Sequence, residues 1–116
     1  MDLISDTSYR NTTLANVAAE LAQSRPSDCA MLFDNGVELT YGDAWLQSQQ
    51  LAAAMQSVGL GPGDTLSFQL PNTIESVIVA IAASICGLVI NPIVPIYRGK
   101  EVSFILKDAR TKIVFI

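Results

Sequence analysis

At 116 residues, half of them hydrophobic and 16% charged, the chain fits one small domain; that balance excludes intrinsic disorder, a coiled coil and a nucleic-acid-binding arm, which need far more charge. The formal net charge of -4 supplies no field to draw in nucleic acid. Histidine is absent and Cys29 and Cys86 stand alone, which removes the commonest general base, the commonest zinc ligand and any paired-cysteine redox motif, and makes a reduced cytoplasmic setting the expectation.

Residues 1–12 show no periodic pattern and are expected to form a loose terminus. Their acidic opening lacks the apolar stretch of a signal peptide. Leu14, Val17, Ala18 and Leu21 then recur at helical spacing behind a Thr12 or Thr13 cap, and Arg25-Pro26-Ser27-Asp28 ends that helix. Cys29–Phe33 and Val37–Thr40 read as a hairpin around the turn Asp34-Asn35-Gly36.

Thr40 and Asp43 have the spacing of a reciprocal helix cap, flanked by Leu39 and Ala44 at hydrophobic-staple positions. The helix that follows should bury Tyr41, Ala44, Trp45, Leu51, Ala52, Met55 and Val58, and close on Gly59 with Leu60 packed behind it. A turn at Gly61-Pro62-Gly63-Asp64 leads into a strand, Thr65–Leu70.

No charge occurs between Glu75 and Arg98, so a membrane span has to be weighed. A span needs about 20 apolar residues, and Gly87, Asn91, Pro92 and Pro95 interrupt this stretch too early. Two buried elements fit better: a helix Thr73–Cys86, capped by Pro71-Asn72 with Glu75 three positions on, and a strand Leu88–Asn91 of the kind found at the centre of a parallel sheet. After an irregular Pro92–Tyr97 passage, a helix from Lys100 to Arg110 stripes Val102, Ile105, Leu106 and Ala109. A last strand, Lys112–Ile116, follows. The alternation predicts an α/β fold of right-handed βαβ units around a parallel sheet. An apolar strand ending so abruptly suggests a piece of a larger α/β protein.

The residues offer little chemistry. Gly59-Leu60-Gly61-Pro62-Gly63 follows a helix and precedes a strand, the reverse of a phosphate-binding loop. Ser84 and Cys86 have no partner base, and Asp34, Asp43, Asp64 and Glu75 each have a local task in a turn or cap. No catalytic or metal-binding set is identified. The second half is richer in cations: residues 76–116 hold five against two acids, and residues 1–75 hold two against nine. A solvated helix face accounts for them most simply. Arg98 and Lys100, at a predicted helix start, could meet an anion, although exposed cations commonly bind nothing specific.

In order, Leu39-Thr40-Tyr41-Gly42-Asp43, Leu51-Ala52, Gly59-Leu60-Gly61-Pro62-Gly63-Asp64, Leu70-Pro71-Asn72 and Gly87-Leu88-Val89-Ile90-Asn91-Pro92 resemble landmarks of the acyl-adenylate-forming synthetases and ligases. The Pro95-Ile96-Tyr97-Arg98 form is closest to carboxylate–CoA ligases of the fatty-acid or cyclohexanecarboxylate type. The resemblance implies that residues 13–116 are the N-terminal segment of an incomplete AMP-binding domain. The whole enzyme would join a small carboxylic acid to CoA with ATP and Mg2+, in the cytoplasm, as a possible homodimer. It also implies that the family's phosphate loop, nucleotide contacts and lysine-bearing C-terminal domain lie outside this stretch, so the piece alone is expected to be inactive and prone to stick. Arg98 falls near the place where, in some relatives, a cation touches the CoA phosphates. A self-contained, non-catalytic α/β interaction module, a small membrane-inserted protein and an adenylating enzyme with another acceptor are the rival expectations.

Overall fold

The computed structural model describes residues 12–116; the expected loose terminus therefore lies, up to residue 11, outside the described residues. Helix α1 (Leu14–Ser24) starts where the Thr13 hydroxyl accepts the Asn16 amide at 3.1 Å. Val17, Ala18 and Leu21 of the predicted stripe are half-buried, while Leu14 is exposed and its neighbour Ala15 is the buried residue of the first turn.

Strands β1 (Cys29–Leu32) and β2 (Glu38–Thr40) form the antiparallel hairpin, and the Asn35 side chain accepts the Val37 amide at its turn. Helix α2 (Tyr41–Ser57) follows directly. The Thr40 hydroxyl caps it by accepting from the Asp43 amide at 3.1 Å. The return bond from Asp43 is not made among the described residues. The carbonyls of Pro26 and Asp28 satisfy two further amides of that first turn, those of Gly42 and Tyr41. At the other end Leu60 donates back to the Met55 carbonyl across Gly59, closing the helix as predicted. The buried stripe is Ala44, Ser48, Ala52 and Met55; Val58 is instead exposed, since it lies past the last turn that touches a neighbour.

Three parallel strands, β3 (Thr65–Phe68), β4 (Val89–Pro92) and β5 (Thr111–Phe115), make the main sheet in the order β4-β3-β5. Helix α3 (Ile74–Cys86) joins β3 to β4 and α4 (Gly99–Asp108) joins β4 to β5. Right-handed crossovers in opposite directions place α3 and α4 on opposite faces. Thr73, not Asn72, precedes the first turn of α3, and Ser76 rather than Glu75 reaches back, accepting the Thr73 amide at 3.2 Å. The strand after α3 is not central: Val89 and Ile90 are exposed because β4 is an outer strand, and β3 holds the middle.

Helix α3 is apolar all round because it is covered on several sides. It packs on α2, on α1 and over the sheet, with Ile78, Val79, Ile81, Ala82, Ala83 and Cys86 buried. The main core joins Ala52, Met55, Leu66, Val79, Ala82, Ala83, Cys86 and Leu88, with Phe68, Ile113 and Phe115 against it. A second cluster, Leu39, Ala44 and Ile81, locks the hairpin end to α2 and α3, so the staple pair Leu39 and Ala44 is buried together. Among the described residues no helix is long and apolar enough to cross a membrane. The run after Glu75 divides into helix and strand as expected.

Candidate functional site

Open parallel sheets gather their ligand-binding loops beyond the C-terminal ends of the strands. At that end of this sheet the organising residue is Gln69, immediately after β3. Its backbone amide donates to the Phe115 carbonyl of β5 at 2.8 Å. Its side-chain Nε2 donates to three carbonyls of the segment following β4: Val94 at 3.1 Å, Pro95 at 3.3 Å and Tyr97 at 2.9 Å. Tyr97 in turn donates to Val94 at 3.1 Å, and buried Ile93 donates to Phe68 at 2.8 Å. The irregular Pro92–Tyr97 passage is thereby tied to the central strand.

Arg98 comes next, as the residue preceding α4. It is exposed, and its backbone amide donates to the Glu101 carboxylate at 3.2 Å. Among the described residues the one ion pair is Arg25–Asp28 at 2.7 Å, a bond that pushes the Arg25 guanidinium up. The Arg98 and Lys100 cations are therefore unpaired within that set, on the solvated face expected of α4. Val102, Ile105, Leu106 and Ala109 are its half-buried stripe, as the periodicity predicts.

On the face away from α3, β3 turns inward the fully buried Ser67. Its hydroxyl lies 2.6 Å from the Thr111 hydroxyl and accepts the Asn91 amide at 2.9 Å. The register jumps from Thr65↔Thr111 to Leu66↔Ile113, and this bulge at Lys112 brings Thr111 onto the same face as Ser67. The result is a satisfied polar ladder across all three strands, with no base attached to it.

The glycine-rich segment fails as a phosphate cradle for a direct reason: its amides are already used. Gly59 donates to Gln56, Gly61 to the Asp64 carboxylate, and Gly63 to Gly87, each at 3.0 Å. Ser84 is likewise committed, accepting the Ala15 amide at 3.0 Å and so capping α1 from α3. Cys86 is buried, which pushes its thiol up and makes it a poor nucleophile. Among the described residues no three cysteine or acidic side chains converge to hold a metal ion. The residues present thus do not fit a bound Mg-nucleotide on their own.

The described residues also leave open cavities. One of about 550 Å³ lies between the hairpin, at Met31–Asp34, and the start of α3, at Thr73 and Ser76. Another, about 440 Å³, lies among Leu51, Leu70, Ile78, Val79 and Phe115 and includes Glu75. Sequence reasoning singled out Arg98 and missed Gln69. The available signal was a polar residue ending a strand just before Leu70-Pro71-Asn72, and it carries no periodicity.

The profile of a family described as AMP-binding enzyme matches residues 18–116. The chain is 30% identical over 105 residues to sulfoacetate–CoA ligase of Cupriavidus necator, a stretch that covers 90% of this chain and 21% of that protein. It is 28% identical over 107 residues to medium-chain fatty-acid–CoA ligase of Escherichia coli, covering 92% and 19%. Among solved structures, the N-terminal domain of FACL13 from Mycobacterium tuberculosis superposes with a TM-score of 0.83 at 25% identity, over 90% of this chain and 27% of that one. The chain spans about a fifth of the length of the curated relatives it matches.

Proposed function

The chain belongs to the AMP-binding enzyme family, and from that premise we propose that residues 13–116 form the N-terminal segment of a carboxylate–CoA ligase. The reaction is carboxylate, ATP and CoA to acyl-CoA, AMP and pyrophosphate. The observation that carries this reading is that two CoA ligases align over nine-tenths of the chain. The substrate is a small-molecule carboxylic acid, the setting cytoplasmic, and fatty-acid metabolism the nearest fit. Mg-ATP supplies the activating adenylyl group, held by parts of the enzyme outside this segment.

Within that enzyme the segment's own work is architectural. Helices α2 and α3 bury one face of the β4-β3-β5 sheet, with α1 packed against both of them. Arg98 contributes a cation to the phosphates of CoA, where a guanidinium gains most from a doubly charged, multi-oxygen partner. The 116 residues alone are catalytically inactive.

The test is carboxylate-dependent exchange of pyrophosphate into ATP by the full reading frame that contains this chain, followed by CoA-dependent release of AMP. Both activities are expected from the whole enzyme and neither from the 116 residues. AMP release that requires a carrier protein instead of CoA would replace CoA in this reading. No exchange with any acid from acetate to long-chain fatty acids would overturn it.

A further inference from the structure

We infer that Gln69 is the positioning residue for Arg98, an inference that rests on the reading of Arg98 as a cation for the CoA phosphates. Gln69 has two side-chain N–H groups and three carbonyls within reach, those of Val94, Pro95 and Tyr97. These carbonyls surround a four-residue turn, Val94–Tyr97, that Tyr97 closes by its bond to Val94. A turn with proline at its second position offers few amides of its own, so its carbonyls need an outside donor. Gln69 is that donor, and its own backbone is held in the ladder to β5.

The consequence reaches the next residue. Arg98 has extended backbone geometry and stands at the cap position just before α4, with the Val102 amide donating to its carbonyl at 2.9 Å. The guanidinium therefore projects from a point bounded on one side by the clamped turn and on the other by the helix. Buried Ile93 anchors the chain just before the turn, and beyond it Gln69 is the side chain that holds the turn to the sheet, since Val94, Ile96 and Tyr97 are themselves exposed and give it little packing. Without Gln69 the turn and the helix start lose their tether, and the cation meets a polyphosphate less often in the right place.

The experiment compares Gln69→Met, Gln69→Glu, Arg98→Ala and Q69M/R98A in the whole enzyme, with KM for CoA, kcat and backbone hydrogen exchange as readouts. Both Gln69→Met and Arg98→Ala are expected to raise the KM for CoA on the order of tenfold, the size of one lost hydrogen bond to a charged group, with the effect on KM rather than kcat. The double variant should show no further rise, because Gln69 acts through Arg98. Exchange at the Tyr97 and Val102 amides should accelerate in Gln69→Met and stay unchanged in Arg98→Ala. If Arg98→Ala leaves the KM for CoA unchanged, the Arg98 reading fails and this inference falls with it. If Arg98→Ala raises it while Gln69→Met does not, or the two effects multiply, the Arg98 reading stands and Gln69 is not its positioning residue. Should both Gln69→Met and Gln69→Glu lose the cooperative melt, Gln69 is a folding residue and the inference is overturned.

Discussion

Single side chains in this protein differ in how far away their partners lie. Asp64 accepts from Gly61 and Thr40 from Asp43, both three positions off, and spacing alone predicts such bonds. Ser84 caps a helix 69 positions earlier, so nothing around it in sequence signals the role. Cys86, 3% exposed, directs its thiol to the Ala52 carbonyl, while Cys29 is exposed. Burial raises the Cys86 pKa above its ordinary 9.0. Its unfolded form consequently releases the proton first. The stability this group confers is complete below the unfolded pKa and is lost as pH rises through the folded one. Melting temperatures measured from neutral to strongly alkaline pH should fall above the ordinary thiol pKa, and Cys86→Ala should flatten that part of the decline. Thiol labelling of the native protein at neutral pH should modify Cys29 alone; equal rates at both sites would contradict the burial.

Among the elements, α2 shows how a local motif acquires a long-range purpose. The capping spacing of Thr40 and Asp43 reveals where the helix starts, but Gly42 answers to a different constraint. A Cβ on Gly42 would lie 3.0 Å from the Pro26 carbonyl oxygen and 3.3 Å from the Pro26 Cβ. The 25–28 turn must come this close for Pro26 and Asp28 to receive the Gly42 and Tyr41 amides, and Arg25 lies 5.8 Å over the Tyr41 ring. Gly42→Ala should push that turn off the helix and cost about 1–2 kcal/mol, the scale of losing a helix cap. Urea unfolding monitored by circular dichroism measures this, and an unchanged midpoint would show that the turn yields freely. Helix α4 ends on a reversed preference: Arg110, not glycine, takes the left-handed conformation at φ 53° before β5. Composition would not have placed it there, and the entry into the sheet imposes it.

For the molecule as a whole, the order β4-β3-β5 decides what is covered and what is bare. One face of the sheet is buried under α2 and α3, and among the described residues the other carries only α4 and the Asn91–Ser67–Thr111 ladder. Large apolar side chains remain exposed around that poorly covered side, with Val89 at 53%, Phe104 at 69% and Ile96 at 72%. Outer strands and apolar patches of this kind favour association. Sedimentation velocity of the 116 residues should therefore show association that grows with concentration, reduced by Phe104→Lys or Val89→Lys. A monomer at every concentration would favour the self-contained module considered from the sequence.

The sequence by itself determined the elements, their order, most of their caps and the parallel α/β class, because periodicity and capping chemistry operate within a few neighbouring residues. It also carried the family, through a row of short motifs whose spacing the fold preserves. Only the tertiary structure decided that β3 rather than β4 is central, that a bulge brings Thr111 beside Ser67, and that Gln69 reaches carbonyls 25 to 28 positions away. Those facts depend on which strands pair and on where crossovers return the chain. Pairing across long separations is settled by the packing of the whole core, for which no local pattern of side chains stands in.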